Sequence, residues 1–516
     1  MTKLFVSDHD LLIALKSTKD KLTETPEQIP AYFIKRVSYS LLHPLLFIFN
    51  YSLAHNCIPS QWKKTTVVPI FKKGSRALPS NYRPIALTSS FCRILETLVS
   101  NHTLNHLLAN KLLLPNQFGF LPNRSSCDQL LWCLNDWYSA YCNNISQYVV
   151  YTDITKAFDS VSHTKLSLVL RSYGINSELI TWIQNFLSNR TQVVKIQDTR
   201  SPPLPIHSGV LQGTVLGPLL FVIFFNDIIL KVESIHDVDI KIALYADDAK
   251  FMSNDPSVLQ ECLKTFTTVI QEHQLQLAPH KSFSLCVGKK TPRLTSSSTF
   301  HIDSISLNNV SKISDLGIIA QDDLKWENQV VSVSLRASLT SYRIIKSFKS
   351  RNIWTLLSLY KSYVRPQLEH NTEVWSPYFK KDIETIEKVQ RRYTKIICQR
   401  CSISFFSYPD RLHKLNLKSL QDRRIIFDLI LLFKIINKLS YLKFDDYFYI
   451  ETNNYTLRNK APKIRTLNKF KCKTWTDSFF YRSTTYWNKL DDSLKSVKSL
   501  VLFRNRLKNY SIDKLR

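Results

Sequence analysis

The sequence predicts an α+β protein, and three stretches of the chain support this class. Residues 240–244 alternate apolar and polar side chains, a period of two that is typical of a half-buried strand. Residues 148–152 are β-branched or aromatic, which favours a second strand. Residues 219–225 form a continuous apolar run, which predicts a buried helix. Strands and helices therefore alternate along the chain, as they do in mixed α and β architectures.

The first third of the chain predicts helices on either side of a strand pair. Residues 1–56 are predicted to be helical, because apolar residues between Val37 and Phe49 fall near helical spacing. Residues 63–90 predict two strands joined by a basic loop, and residues 91–113 predict helices.

The following part alternates helices and strands. A helical stripe runs from residue 166 to residue 173 and ends at Gly174, and Asp255-Pro256 predicts another helix start. A strand is predicted at 277–287, carrying Pro279-His280-Lys281. The lysine-, threonine- and serine-rich residues 288–298 form a connector.

The last predicted strands precede a helical region. Residues 300–319 alternate around Asn308-Asn309, which predicts a hairpin turn at the asparagines. Residues 326–400 are predicted to be helical.

Two aspartates close the predicted strand at 240–244, in the segment Tyr245-Ala246-Asp247-Asp248. A return strand at 249–252 would place both carboxylates at the tip of a hairpin. Adjacent carboxylates repel each other, and a divalent cation would offset that repulsion. The pair could also be an ordinary solvated turn.

Asp153 follows the other predicted strand directly, 94 positions before Asp247. A fold that pairs the two strands would bring these carboxylates together, where they could hold two Mg²⁺ ions about 3.5–4 Å apart. Taken alone, Asp153 could equally be a cap at the end of a strand.

Glycine is concentrated before the apolar run. The chain has eight glycines in 516 residues, yet Gly209, Gly213 and Gly217 fall in one short stretch. Glycine allows positive φ angles and close approach of another chain, so we expect a loop against which a substrate lies. A tight turn before a buried helix is the alternative.

These segments resemble the motifs of reverse transcriptases from non-LTR (LINE-type, jockey-like) retrotransposons. Residues 152–161 resemble motif A, the Gln212-Gly213 loop resembles motif B, and residues 245–248 resemble motif C. The resemblance extends over roughly residues 58–437. Segments 62–74, 81–88 and 116–120 resemble the family's fingers, and segments 359–366 and 374–378 resemble its post-polymerase segment.

The resemblance implies a right-hand polymerase fold with fingers, a split βαβ palm and a helical thumb, plus a basic, mainly helical C-terminal region. We expect an N-terminal helical extension at 1–51, fingers and palm at 52–320, a thumb-like region at 321–400 and the basic C-terminal region at 401–516.

The implied activity is that of an RNA-directed DNA polymerase, a nucleotidyltransferase that adds dNTPs to a primer 3′-hydroxyl on an RNA template. Two Mg²⁺ ions per site (Mn²⁺ being an alternative) are the implied cofactors. By resemblance, Asp153 and Asp247 are catalytic metal ligands supported by Asp248, and the carbonyl of Ile154 completes one metal site.

The resemblance also implies seven residues that contact the incoming dNTP. Lys72, Lys73 and Arg83 would bind the triphosphate, Phe158 would exclude the ribose 2′-hydroxyl by a steric clash, Gln212 and Gly213 would shape the nascent base pair, and Lys281 would protonate pyrophosphate. The alternatives are a solvated basic loop for Lys72 and Lys73, a core aromatic for Phe158 and a solvated strand-edge lysine for Lys281. Asp159 is expected to be structural, capping the helix after Ser160.

The charge of the chain agrees with a polyanionic partner. Lys and Arg total 69 against 41 Asp and Glu, a net charge of +28. Residues 455–516 carry 16 Lys and Arg against 4 Asp and Glu. Interleaved aromatic residues favour stacking on single-stranded nucleic acid, and a basic helical subdomain with its own small core is the compatible alternative. These aromatic residues are Phe470, Trp475, Phe479, Phe480, Tyr481, Tyr486 and Trp487.

The ten cysteines are scattered and do not suggest a secreted disulfide framework, so we expect reduced thiols. Cys398 and Cys401 form a CxxC pair, but no second pair follows it, and a zinc site is weakly indicated. No signal peptide is evident, and the apolar runs at 41–49 and 216–225 are too short to span a bilayer. We expect an intracellular protein, in the nucleus or cytoplasm.

Other functions remain open from the sequence. The chain could be an inactive retrotransposon remnant that only binds nucleic acid, or a group II intron-type maturase, against which the wording of the fingers argues. An RNA-templated RNA polymerase is disfavoured by Phe158. Since the fingers begin almost at residue 1, we expect no endonuclease region, and a separate endonuclease would have to nick the target.

Overall fold

Two five-stranded sheets with helices around them organise the part of the chain that this computed structural model describes. The described residues are 1–20, 22, 25–72, 74–235, 240–288, 299–405, 407–451 and 462–515. Lys73 and residues 289–298 of the predicted connector lie outside them.

The N-terminal part is helical, as predicted. Leu45 and Phe49 are buried on one face of its longest helix, at the spacing that predicted it. A single helix covers most of residues 91–113, and a second helix after it was not predicted. The elements are α1 (Asp8–Ser17), α2 (Ala31–Arg36), α3 (Ser38–Ala54), β1 (Lys64–Phe71), β2 (Tyr82–Leu87), α4 (Ser90–Ala109) and α5 (Ser126–Cys142).

The next part alternates strands and helices in the predicted order. Gly174 has a φ of +67° just after a helix, where a left-handed residue ends it. Three strands between residues 190 and 206 were not predicted. The elements are β3 (Gln147–Thr152), α6 (His163–Ser172), α7 (Ser177–Leu187), β4 (Arg190–Ile196), β5 (Thr199–Arg200), β6 (Leu204–Ile206), α8 (Leu216–Glu233), β7 (Lys241–Tyr245), β8 (Asp248–Ser253), α9 (Pro256–Glu272) and β9 (Phe283–Val287).

Short strands and then long helices follow. Residues 327–400 are largely helical, as predicted, and a π-helical turn at Tyr360–Val364 joins two of the helices. The elements are β10 (His301–Ile302), β11 (Ile305–Ser306), β12 (Asn308–Asn309), β13 (Lys312–Asp315), β14 (Ile318–Gln321), α10 (Glu327–Ser347), α11 (Ile353–Leu359), α12 (Arg365–Glu369), α13 (Thr372–Trp375) and α14 (Lys380–Arg400).

The described part of the C-terminal region is mainly helical and contains one strand pair. Its elements are α15 (Tyr408–Lys414), α16 (Leu420–Ile436), β15 (Phe448–Glu451), β16 (Lys463–Thr466), α17 (Lys473–Thr476), α18 (Phe479–Lys489), α19 (Asp492–Lys495) and α20 (Leu500–Asn509).

The first sheet contains the predicted strand pair. β1 is antiparallel to β2 and parallel to β4, and β4 also pairs with β5 and β6. The second sheet has the order β12-β9-β3-β8-β7, in which β3 is antiparallel to both β8 and β9.

The second sheet lies between two hydrophobic cores. Val150 and Phe251 point to a first core that includes α4, α6, α8 and α9. Val149, Ala243 and Met252 point to a second core that includes α5 and the helices after residue 326. The centre of β7 is therefore buried on both faces, so the prediction of a half-buried strand is wrong there. The side chain of Ala243 is a single methyl group, and it packs within the second core.

Two strand predictions need correction. The strand expected at 277–287 is confined to β9, and Pro279–Lys281 forms a 3₁₀ turn before it, since proline cannot donate to a ladder. Asn308-Asn309 is not a hairpin turn: it is β12, which pairs in parallel with β9. The flanking turns lie at Asp303 and at Leu316-Gly317, where φ is positive.

The aromatic residues of the C-terminal region are mostly interior. Trp475, Phe479, Phe480 and Trp487 are at most 5% exposed, and they belong to the second core. Phe470 and Tyr486 pack against the same core, while Tyr481 is exposed. The buried rings cannot stack on nucleic acid, so that interpretation is wrong for them. The core is also shared with the sheet and the preceding helices rather than being the region's own.

The cysteines differ from expectation at one pair. Cys142, which ends α5, and Cys472, just before α17, form a disulfide with Cα atoms 6.0 Å apart, a separation suited to the bond. The expectation of reduced thiols is wrong for these two, because the fold brings them together across a long separation in sequence. Cys398 and Cys401 are free. Among the described helices, none combines the length and the apolar character needed to cross a membrane.

Candidate active site

Three aspartates lie at one end of the second sheet. Tyr245 pairs with Asp248, so Ala246 and Asp247 form a two-residue turn between β7 and β8. The pairing of Thr152 with Ala249 places Asp153, which directly follows β3, at the same end of the sheet. The predicted hairpin and the predicted strand end are both present, and antiparallel pairing joins them.

The three carboxylates influence one another. Desolvation raises the pKa of Asp248 to about 6, and the neighbouring Asp247 carboxylate adds to the rise. Desolvation also raises the pKa of Asp247, and the charge of Asp153 adds to it. Holding Asp247 and Asp248 ionised is therefore unfavourable without a compensating cation.

The donor chemistry of these residues fits Mg²⁺, which prefers carboxylate oxygens. Within the described ranges, no group of three or more His, Cys, Asp or Glu side chains is arranged to hold a metal ion. These carboxylates therefore do not surround a metal position on their own. Lys281 Nζ lies 3.6 Å from Asp153 Oδ2, so a cation at Asp153 would compete with this ammonium group. Ile154 is buried and bridges Leu277, beside Asp153.

Two cations of the first sheet face the aspartate turn. Lys72 follows β1 and its backbone N–H donates to Asn81 O at 2.8 Å, while Arg83 lies on β2. The charges of both side chains act to lower the pKa of Asp247 against the larger effect of desolvation. Both side chains are exposed, so they are free to meet an anion in front of the aspartates.

Phe158 lies in the segment after Asp153 and is half-buried. Its ring stacks on Phe221 of α8 with centroids 4.4 Å apart and meets the edge of Phe120 at 6.1 Å. The ring is thus fixed from two sides while part of it remains accessible.

The glycine loop is built against the chain's own backbone. Gly213 has a φ of +118°, and a Cβ there would lie 2.5 Å from Ala86 O. Gly209 has a φ of +86°, and its Cβ would lie 2.6 Å from Asp159 O. The close approach is to the protein's own backbone, at β2 and in the segment after Asp153. A loop against which a substrate lies stays a prediction.

Gln212 links the same elements. Its carbonyl accepts from Ala86 N at 2.8 Å, and its Nε2 donates to Asp159 Oδ1 at 3.4 Å. Asp159 therefore does not cap the following helix; Ser162 occupies that N-cap position, without a side-chain cap hydrogen bond. The loop with Gln212 and Gly213 joins the first sheet to the segment carrying Phe158.

Glu96 is a supporting residue that the sequence analysis missed. It is fully buried on α4, and its Oε2 accepts from Val215 N at 2.7 Å and Leu216 N at 3.0 Å, at the start of α8. Burial raises the pKa of this carboxyl. A glutamate within an apolar helical stripe is the signal that could have indicated it.

A family model described as reverse transcriptase (RNA-dependent DNA polymerase) matches residues 70–319, a range that contains every site residue described above. Among curated proteins, the "Probable RNA-directed DNA polymerase from transposon BS" of Drosophila melanogaster is 25% identical over 442 residues, covering 80% of this chain and 47% of that protein. The "RNA-directed DNA polymerase from mobile element jockey" of the same organism is 26% identical over 360 residues, covering 67% of this chain and 39% of that protein.

The chain thus spans less than half the length of these two relatives. Among solved structures, an apo telomerase from Candida tropicalis aligns with a TM-score of 0.37 and 13% identity, over 58% of this chain and 61% of that chain. So loose a structural match supports no argument.

Proposed function

We propose, from the premise that residues 70–319 belong to the reverse transcriptase family, that this chain is an RNA-directed DNA polymerase of a non-LTR retrotransposon. It would transfer deoxynucleotides to a primer 3′-hydroxyl on an RNA template. The observation that carries the proposal is the convergence of Asp153, Asp247 and Asp248 at one sheet end, opposite Lys72 and Arg83.

We propose that Asp153 and Asp247 ligate two Mg²⁺ ions, with support from Asp248 and the carbonyl of Ile154. Ions bound there would acidify the primer hydroxyl and neutralise charge on the triphosphate. The raised pKa values of Asp247 and Asp248 support this assignment, because desolvation, reinforced by the neighbouring carboxylates, disfavours the ionised forms and a divalent cation would offset this cost.

The surrounding cations would handle the phosphates. Arg83 and Lys72 would bind the triphosphate, Arg83 through the two parallel hydrogen bonds that a guanidinium can offer. Lys281 would give its Nζ proton to the leaving pyrophosphate oxygen. Its side chain is 72% exposed and contacts Asp153 only at 3.6 Å, so it can turn toward a phosphate. Lys73, the next residue in the sequence, is proposed to bind the triphosphate as well.

The remaining residues would shape the nucleotide pocket. Phe158, held by Phe221, would exclude a 2′-hydroxyl by clash. Gln212 and Gly213 would support the nascent base pair from a loop fixed on Ala86.

RNA template, DNA primer and dNTPs are the proposed partners. The net charge of +28 supports binding to these polyanions. We propose the same division of the chain that the sequence suggested: extension at 1–51, fingers and palm at 52–320, thumb at 321–400 and basic region at 401–516.

The test is extension of oligo(dT) on poly(rA) with Mg²⁺ and dTTP. Wild-type protein should add deoxythymidine to the primer. A folded protein that binds this primer–template and never extends it would favour an inactive, nucleic-acid-binding remnant. Splicing of an intron RNA by the chain would favour a maturase.

A further inference from the structure

Gln117 is buried against the turn that carries Asp247. We propose that Gln117 is a positioning residue for this turn, and that Tyr441 of the C-terminal region holds in place the segment that carries Gln117. The proposal deepens the proposed polymerase function and, for its rate measurement, rests on it.

The side chain of Gln117 binds the turn on both sides of one residue. Its Oε1 accepts from Ala246 N at 3.1 Å and from Gly119 N at 2.8 Å, and its Nε2 donates to Ala246 O at 3.4 Å. Gln117 is 1% exposed, so water cannot replace these bonds. Ala246 has a φ of +60°, a conformation that a non-glycine residue keeps only when its surroundings hold it there.

The backbone around Gln117 adds a second hold on the hairpin. Leu244 N donates to Asn116 O at 2.9 Å, and Phe118 N donates to Leu244 O at 2.7 Å. A Cβ on Gly119 would lie 2.4 Å from Ala246 N, so the segment touches the turn directly. Residues 116–119 thus extend the sheet along the outer edge of β7.

Arg124 fixes the same segment from its other side. Its Nη1 donates to the carbonyls of Leu114 at 3.0 Å and Pro115 at 3.2 Å, and also to the carbonyl of Gln117. One guanidinium nitrogen of Arg124 therefore contacts three backbone carbonyls within residues 114–117.

Tyr441, in the C-terminal region, also contacts the segment that carries Gln117. Its hydroxyl donates to Pro115 O, and its ring meets Phe118 edge-on with centroids 5.0 Å apart. The guanidinium of Arg124 lies over the Tyr441 ring, 4.4 Å from the centroid. Two contact layers therefore connect the C-terminal region to Asp247: Tyr441 with Arg124, then Gln117 with Ala246.

A polymerase site needs its carboxylates held closely, because displacement by about 1 Å can cost on the order of 100-fold in rate. Gln117→Leu keeps the side-chain size and removes all three hydrogen bonds. It should lower the single-turnover extension rate at saturating dTTP roughly 10–100-fold. The primer–template Kd and the KM for dTTP should stay near wild type, since Gln117 touches neither.

The matched control is Gln129→Leu. Gln129 is also fully buried, on α5, and its side-chain nitrogen and oxygen have no hydrogen-bond partner in the described residues. This variant should keep the wild-type rate. Tyr441→Phe removes the hydroxyl alone and should slow extension by about 5-fold, the worth of one hydrogen bond. Tyr449→Phe, in β15 of the same region, is the matched control and should not slow extension.

A second readout does not require activity. In hydrogen–deuterium exchange, peptides covering residues 244–248 should exchange faster in Gln117→Leu than in wild type or Gln129→Leu. Tyr441→Phe should accelerate exchange over 114–120 as well. A wild type that fails to extend primers would refute the proposed function and leave this readout to decide the positioning role. Unchanged exchange and rate in Gln117→Leu, or equal losses in Gln129→Leu, would overturn the inference.

Discussion

Lys250 and Asp315 form an ion pair inside the protein, with Nζ 2.7 Å from Oδ1 and both side chains only 2% exposed. The hydroxyl of Tyr151 donates to the other carboxylate oxygen of Asp315 at 3.1 Å. Lys250 lies on β8, two residues after Asp248, and Asp315 lies on β13. The pair therefore fastens the strand that carries the aspartates to the hairpin leading into the helical region.

Breaking this pair should be costly. Lys250→Met leaves the Asp315 carboxylate buried without its cation, which should lower the free energy of unfolding by about 3–5 kcal/mol. Urea unfolding measures this loss. Lys241→Met is the matched control, because the Lys241–Asp136 pair is 2.7 Å long with side chains 55% and 23% exposed. That change should cost about 1 kcal/mol or less. Similar losses in the two variants would contradict the account.

The glycine loop offers a test of backbone fit. Gly213→Ala would place a Cβ 2.5 Å from Ala86 O at a φ of +118°. It should lower the free energy of unfolding by roughly 1–3 kcal/mol and slow primer extension, because the loop and β2 must move apart. Gly288→Ala is the control, since the nearest atoms to its Cβ would lie 3.6 Å away. Equal effects of the two substitutions on unfolding would show that the contact with Ala86 is unimportant.

Local patterns predicted the centre of the site. The alternation before Tyr245 and the β-branched and aromatic run before Asp153 were enough to predict the hairpin and the strand end, because each is a property of a few consecutive residues. The prediction of a turn at Asn308-Asn309 is wrong, because asparagine favours turns locally while pairing with β9 makes these residues a strand.

Long-range contacts accounted for what the sequence could not predict. Gln117 acquires its contacts with Ala246 only through tertiary structure. The aromatic residues near Trp475 had a composition that suits either stacking or a core. They are buried because α5 and α16 cover them, which no local pattern reveals.

Phe158 should control the choice of sugar. Phe158→Val removes the ring that stacks on Phe221, which should reduce the preference for dTTP over UTP by roughly 10–100-fold. Competing single-nucleotide incorporation on poly(rA) measures the ratio. Phe158→Tyr keeps the bulk of the ring and should keep the preference. An unchanged preference for dTTP over UTP in Phe158→Val would show that Phe158 does not exclude the 2′-hydroxyl.

Glu373 should make stability depend on pH. Burial raises its pKa to about 7, with the Asp428 carboxylate adding to the rise and Arg482 and Lys434 opposing it. The pKa of Glu373 in the folded protein lies above its unfolded value of about 4.3. The protonated group therefore contributes its full share to the free energy of unfolding below about pH 4.3. This contribution is lost as the pH rises through about 7.

Glu373→Gln keeps a neutral group at every pH. Between pH 5 and pH 8 the wild type should lose on the order of 2–3 kcal/mol of unfolding free energy relative to this variant, as measured by urea unfolding. Glu384→Gln, at an exposed position of α14, should leave the pH profile of the wild type unchanged. Parallel profiles for wild type and Glu373→Gln would refute the assignment.

The most direct test of the central claim compares wild type with Asp247→Asn in extension of oligo(dT) on poly(rA) with Mg²⁺ and dTTP. Asp303→Asn serves as the control, since Asp303 lies in the turn between β10 and β11 at a φ of +53°, which asparagine also tolerates. We expect wild type and Asp303→Asn to extend the primer. We expect Asp247→Asn to fold and to bind the primer–template, but to extend it at least about 1,000-fold more slowly. Extension at the wild-type rate by Asp247→Asn would contradict the central claim.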